Sequence, residues 1–492
     1  MKINTLMRRL RLAVLALLSW CGINATAARP SSVPTDEQRG LTIYQVMVAS
    51  FRHSPDGAQG YSAMWGPDGH TKNGNLRGIT EALDHIASLG VNAIWLTPVF
   101  DSSNALGGEK LQATGYFTND FFAIDPHFGT EADFRELVDE AHRRGLYVIL
   151  DGVFGHHGGV TTPSPSGHVL DTREVFSDRG EQGGTGNIRY PGSLDYIKEV
   201  ATYYIDRYGI DGWRLDQAYQ ATQGGHNYWN EIRRAVEDAA AARRERGERW
   251  GTLGYMVGED WGTPDVINRG VYRDGGLLSA FDFDGKELIS GPMQDVSGAP
   301  LEIDFDNIRT VLSPPSSRGY LSDNVIPNLF LSNHDGYRVA DHFADDDSLR
   351  YRKLMTLNGV LAAYSGPVTL YYGDEYADVS AGSPGAQKDN IARTSGHLEP
   401  RNDNERQLRD FIAHAMTFRR NHPAMWRGEA TFRRFEKDGA DVLVVLKNDP
   451  ETSDNIAVVF ADGDVTLDFG PGAENVAVRA YIPQFVVLEP ER

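Results

Sequence analysis

The feature that most constrains this chain is an eightfold alternation. Short apolar runs at residues 43–48, 91–97, 147–153, 212–216, 255–260, 278–283, 328–333 and 368–372 alternate with segments of helical periodicity. Ile79, Leu83, Ile86 and Leu89 recur at helical spacing, as do Phe134, Leu137, Val138 and Ala141. A glycine, Gly90 or Gly145, ends each of these helices just before the next strand. Eight strand–helix units predict an α/β chain folded as a (β/α)8 TIM barrel, whose functional residues collect at the carboxyl ends of the strands.

Two connections are longer than barrel closure requires. Residues 100–130 join strand 2 to its helix. Residues 154–193, rich in Gly, Ser, Thr and Pro, are expected to form a small insertion after strand 3. Beyond Trp426 the pattern changes to short alternating runs at 431–435, 441–446, 455–460, 465–469 and 476–482, separated by turn residues. The expected organisation is a catalytic barrel over 28–424 and a C-terminal all-β domain, a β-sandwich, over 425–492.

Residues 1–27 read as a secretory signal. Lys2, Arg8, Arg9 and Arg11 precede an apolar run from Leu12 to Leu18, and Ala25-Thr26-Ala27 offers a small-residue cleavage site. The run is too short to span a bilayer, and no other segment reads as a membrane span. The one cysteine, Cys21, lies inside this segment. The expectation is therefore an exported protein, periplasmic or secreted, whose mature form has no cysteine. With 40% hydrophobic and 24% charged residues the chain has a soluble globular composition. A formal charge of −20 argues against nucleic acid or anionic membrane as partner, since both require a basic surface. A neutral ligand fits better.

Polar and charged residues gather at the predicted strand ends: Asp151 and His156 after strand 3, Arg214 and Asp216 on strand 4, Glu259 and Asp260 on strand 5, His334 and Asp335 after strand 7. Period-2 alternation puts Arg214 and Asp216 on one face, where they must pair or meet a ligand. Asp216, Glu259 and Asp335 thus converge on one mouth. Clustered carboxylates repel, so one tends to keep its proton while another is ionised, the division of labour used in glycoside hydrolysis. Tyr116, Trp213, Tyr219 and Trp261 are aromatic candidates for stacking on sugar rings at the same mouth.

These residues lie in ordered motifs that resemble the α-amylase superfamily of glycoside hydrolases (glycoside hydrolase family 13), over roughly residues 41–489. The motifs are Asp151 to His156, Gly212 to Asp216, Gly258 to Trp261 and Phe330 to Asp335. Gly115-Tyr116, Ala123 to Pro126 with Phe128 to Thr130, and Tyr371 to Glu375 join them. The resemblance implies a retaining enzyme acting on α-1,4-linked glucans. Asp216 would be the nucleophile, Glu259 the acid and base, and Asp335 the group that grips the sugar's 2- and 3-hydroxyls. Arg214 would keep Asp216 ionised, His156 and His334 would bind the sugar at the cleavage site, and Tyr116 and Trp261 would complete the substrate-binding set.

Departures bear on metal and on substrate. Where many relatives place a calcium-ligating asparagine before His156, this chain has Gly155, and Ser193 stands where a second calcium-ligating aspartate is common. Neither offers the usual ligand, so no metal or other cofactor is expected. Gln217-Ala218-Tyr219 after the nucleophile and Phe117 after Tyr116 point to unusual subsites. A transglycosylase or a sucrose- or trehalose-acting relative is the rival enzyme reading, and a catalytically idle carbohydrate-binding protein the rival from another class. The three retained carboxylates speak against the latter. Preferred glucan, endo or exo action and oligomeric state are left open.

Overall fold

The eight runs become eight parallel strands: β1 (Thr42–Val46), β2 (Ala93–Leu96), β3 (Tyr147–Gly152), β4 (Gly212–Leu215), β5 (Tyr255–Gly258), β6 (Ser279–Ala280), β7 (Leu329–Phe330) and β8 (Val368–Tyr371). The computed structural model describes residues 33–65, 73–159, 161–175, 185–298, 300–344, 347–381, 391–470 and 472–489. The expected secretory signal and Cys21 lie outside the described residues.

Strands are hydrogen-bonded in the order β6-β5-β4-β3-β2-β1-β8-β7. A parallel bridge between Phe281 and Asn328 closes the seam. There the Asn328 N–H donates to Ala280 O at 2.8 Å and the Asp282 N–H to Asn328 O at 2.9 Å. The result is a closed (β/α)8 barrel. Its strands are shorter than the apolar runs because the chain leaves the ladder soon after each carboxyl end. Asp216 and Glu259 keep one ladder bond each, to Gly152 O at 3.1 Å and Leu215 O at 2.9 Å, before the backbone turns away.

The strands alternate as a barrel demands. Ile43, Ala93, Trp95, Ile149, Tyr255 and Val257 point inward and share a core with Phe281 and Phe330. Tyr44, Val46, Ile94, Leu96, Val148, Leu150, Trp213 and Leu215 point outward against the helices. Those helices are α1 (Leu76–Ser88), α2 (Glu131–Arg143), α3 (Leu194–Tyr208), α4 (Trp229–Glu245), α5 (Pro264–Ile267), α6 (Phe283–Ser290), α7 (Asp347–Ala363) and α8 (Asp403–Asn421). Asn75 and Thr130 cap α1 and α2 with side-chain oxygens, satisfying N–H groups that would otherwise lack partners. Gly90, at φ 81°, makes the left-handed exit from α1 and lets α8 approach: a Cβ there would lie 2.6 Å from Thr417 N.

Part of the 154–193 connection forms a three-stranded antiparallel sheet, with His156–His157 and Thr172–Val175 flanking Thr185–Ile188. At the C-terminus, β9 (Glu429–Lys437), β10 (Ala440–Asp449), β11 (Asp454–Ala461) and β14 (Gln484–Val487) form an antiparallel sheet. The hairpin β12 (Val465–Leu467) and β13 (Val476–Val478) provides a small second layer. One face of the sheet (Val442, Val444, Ala457, Val459) packs with that hairpin, and the other (Leu443, Val445, Ile456, Val458, Phe460) joins the core that the barrel helices share. The run at 476–482 is not one strand. Tyr481, at φ 61°, turns the chain and sends 484–487 back along β11.

Asp282 anchors the seam. Its buried carboxylate accepts from Arg318 at 2.6 and 2.7 Å, from the Tyr320 and Tyr364 hydroxyls at 2.7 and 2.9 Å, and from Gly285 N at 2.8 Å. Burial opposes its charge, but Arg318 and these donors hold it below the usual carboxylate range. Its stabilisation is therefore present above that range and is lost as pH falls through the folded value. Asp282→Asn should cost about 3 kcal/mol in urea unfolding and remove that acid dependence. An unchanged unfolding midpoint would count against the seam role.

Candidate active site

Cross-strand register builds the site from its base. Arg214 on β4 lies opposite Asp151 on β3 and Val257 on β5, and alternation aims it inward. With only 1% of its surface exposed, its guanidinium must find partners inside the barrel. One nitrogen reaches Asp151 Oδ1 at 2.9 Å and Asp216 Oδ1 at 3.0 Å, and the other reaches Glu259 Oε1 at 2.9 Å. The cation also sits 5.0 Å from the Trp95 ring centroid. One planar fork thus holds three carboxylates at once.

Beside this base is a cavity of about 450 Å³, lined by Asp216, Glu259, Asp335, Tyr116, His156, His334 and Trp261, with Arg214 bound to the first two. All eight candidate residues are therefore brought together. Glu259 also accepts from the Trp261 indole at 2.8 Å and from Gln217 N at 3.1 Å. Gln217 follows Asp216 with a left-handed φ of 43°, unusual for a residue with a Cβ. That twist turns its N–H back towards Glu259. The Tyr116 hydroxyl lies 2.8 Å from both Asp151 Oδ2 and His334 Nε2, while Gln45 meets His334 Nδ1 at 2.7 Å. His156 Nε2 lies 2.9 Å from Tyr116 O and 3.8 Å from Asp216 Oδ2.

Charge in this cluster is frustrated. Burial raises Asp216 well above the ordinary carboxylate range; Arg214 opposes the rise, while Glu259, Asp151 and Asp335 add to it. Burial also pushes Asp151 up to about 6, again against Arg214. Asp260 rises to about 6 through burial and the nearby Glu259. His334 moves the other way: burial, then the cations Arg393 and Arg214, keep its imidazole neutral. His156 is lowered by burial.

Trp213 does not belong to the mouth. One residue out of phase with Arg214, it points outward, is fully buried, and donates its indole N–H to Ala201 O at 3.0 Å on α3. Tyr219 does reach the rim, 48% exposed, beside Trp261 at 38%. Arg393 is a member that sequence reasoning missed. It donates to Asp335 Oδ1 at 2.8 Å and to His334 O at 3.0 Å, fixing the third carboxylate from the loop after β8. No periodicity marks that loop. Asp151 stood in a motif without a role, and its register opposite Arg214 is the signal that gives it one.

The residues at the expected calcium positions do not fit the ion. A Cβ at Gly155 would lie 1.8 Å from Gln220 Oε1 and 2.5 Å from Gln220 Cβ, so the Gln220 side chain fills that space. Ser193 Oγ is engaged with the Asp171 backbone, accepting at 2.8 Å and donating at 3.0 Å. Among the described residues no group of three or more His, Cys, Asp or Glu side chains is arranged to hold a metal.

A sequence profile described as the α-amylase catalytic domain matches residues 45–164 and 187–434. This chain belongs to the α-amylase family of glycoside hydrolases. Similar curated proteins include a cyclomaltodextrinase from Bacillus sp, 27% identical over 83% of this chain and 71% of that protein. An intracellular maltogenic amylase from Bacillus subtilis (strain 168) is 28% identical, over 68% of this chain but only 54% of its own length. Among solved structures, AmyP in complex with maltose shares 32% identity with a TM-score of 0.76, covering 92% of this chain and 97% of that one. An α-amylase from Geobacillus thermoleovorans, at 23% identity and a TM-score of 0.66, has the same fold.

Arg214 is the main force opposing the rise of Asp216, and lysine cannot fork across three carboxylates. In Arg214→Lys the Asp216 carboxyl should titrate at higher pH than in the parent, as followed by carboxyl-carbon NMR. An unmoved titration would show that Arg214 does not control its charge.

Proposed function

We propose that this protein is a retaining hydrolase of α-1,4-linked glucans, acting on malto-oligosaccharides and starch by double displacement. The observation that carries the reading is that one buried guanidinium binds both Asp216 and Glu259 while both line a sugar-sized cavity. A shared fork favours the short carboxylate separation of double displacement over the wider gap that accommodates a water in inverting enzymes. The cyclomaltodextrinase and maltogenic amylase relatives and the maltose bound by AmyP support the choice of glucan.

In the first step Asp216, which the contact with Arg214 favours in its ionised form against burial, attacks the anomeric carbon as Glu259 gives a proton to the departing glycosidic oxygen, forming a β-linked glycosyl ester. In the second, Glu259 takes a proton from water, whose oxygen attacks the same carbon and releases Asp216, restoring the α configuration. Asp335, held by Arg393, grips the sugar hydroxyls beside neutral His334, and His156 contributes a further polar contact. Tyr116 forms the wall behind the ring. Trp261 and Tyr219 offer apolar faces to the sugar on the leaving-group side.

Those two exposed aromatics also favour a second reading, transfer of the glycosyl unit to a sugar acceptor, because an acceptor that outlasts water at the rim intercepts the ester. Export of the protein, resting on the leading segment alone, is part of the same proposal.

The test is product analysis on maltoheptaose, with anomers followed by NMR. Short α-anomeric maltodextrins are expected; longer products would select transfer, and β-anomers would overturn retention. Asp216→Asn should fold normally and lose turnover by about 10⁴-fold or more. Near-normal activity in that variant would remove Asp216 from the nucleophile role.

A further inference from the structure

Three glutamines in the segment after β4 are spaced three apart: Gln217, Gln220 and Gln223. Gln220 lies in a 3₁₀ turn, Ala218–Ala221, that Gln217 precedes, and Gln223 follows it in a short strand. Gln220 Nε2 donates to Gln217 Oε1 at 3.0 Å, and Gln223 Nε2 donates to Gln220 O at 2.8 Å. The far end of this ladder grips the inserted lobe. Gln223 Nε2 donates to Ile188 O at 2.9 Å, and its Oε1 accepts from Tyr190 N at 3.0 Å. The lobe closes the circuit, since Ile188 N donates to Gly155 O at 2.9 Å. The middle rung meets the site itself: the Gln220 amide lies 3.2 Å from His156 Nδ1, and Tyr116 O lies 2.9 Å from the ring's other nitrogen. Gly155 is what makes room for that rung.

We propose that this glutamine ladder is the lock between the inserted lobe and the barrel mouth, and that Gln220 is a positioning residue for His156. The lock is a protein-only one. Gly155 and Gln220 are complementary, because no side chain at 155 fits while Gln220 stands there. The inference deepens the glucan-hydrolase reading, on which it rests for the ligand that His156 contacts.

Its test uses the full chain and reads binding and heat stability rather than turnover, so failure of the hydrolase reading remains distinguishable. In an Asp216→Asn background, maltotriose affinity is measured by calorimetry for Gln220→Met, for His156→Ala and for both together. Gln220→Met, which keeps the bulk and removes the amide, should weaken binding about tenfold, and the double variant should bind no worse than His156→Ala alone. Multiplied losses would show that Gln220 does not act through His156 and would overturn the positioning role. Gly155→Ala, which pushes Gln220 aside without removing it, should reproduce the loss seen with Gln220→Met and keeps the test open if that variant fails to fold. Native-like binding in Gly155→Ala would count against the proposal. On the unmodified chain, chelation followed by millimolar calcium should leave Tm unchanged within about 1 °C. A fall in Tm restored by calcium would put an ion in place of the ladder.

Discussion

The active site depends on one buried cation, Arg214. A guanidinium with almost no contact with solvent must have acceptors around it, and Arg214 has the carboxylates of Asp151, Asp216 and Glu259 within hydrogen-bonding distance. Those anions are equally dependent on it. Packed together without a cation, they could not all remain ionised. With Asp335 and its partner Arg393 added, four carboxylates face two guanidiniums, and the nearest imidazole, His334, is kept neutral. The imbalance means that the resting site holds negative charge or a proton in excess of its cations.

Most of this was legible in the chain because two simple periods govern it. Alternation along β4 sends Arg214 and Asp216 inward and Trp213 outward, so phase and not residue type decides where Trp213 points. The barrel and the gathering of the carboxylates at one mouth follow from the strand–helix repeat, which sets Asp216, Glu259 and Asp335 at or just beyond the carboxyl ends of β4, β5 and β7. Less legible were contacts made by loops. Arg393 reaches Asp335 and His334 from a stretch with no repeating pattern, and Gln220 meets His156 across 64 positions. Tyr481 breaks an apparently continuous strand through a backbone angle that its side-chain chemistry does not announce.

The inserted lobe shows how one architecture can tolerate different local solutions. The lobe must be fixed to the barrel, because its first strand begins at His156, a residue of the cavity wall. A bound ion fixes such a junction with a few strong ligands. Here neutral hydrogen bonds of modest strength, two of them from Gln223 to the lobe backbone, share the work.

The two-faced C-terminal sheet has a consequence for how the chain comes into being. Leu443, Val445, Ile456, Val458 and Phe460 belong to the same core as Leu361, Leu408, Ile412 and Met416 of α7 and α8. The fit is close: a Cβ at Gly359 would lie 2.6 Å from Pro483 Cγ. Phe485 stacks on Phe418 with ring centroids 5.2 Å apart. During synthesis α7 and α8 emerge before any of the strands that cover them, so their apolar surface stays uncovered until those strands follow. A chain cut before β9 would leave that flank of α7 and α8 exposed. The C-terminal sheet is thus the cover of the barrel's last two helices as much as a module of its own.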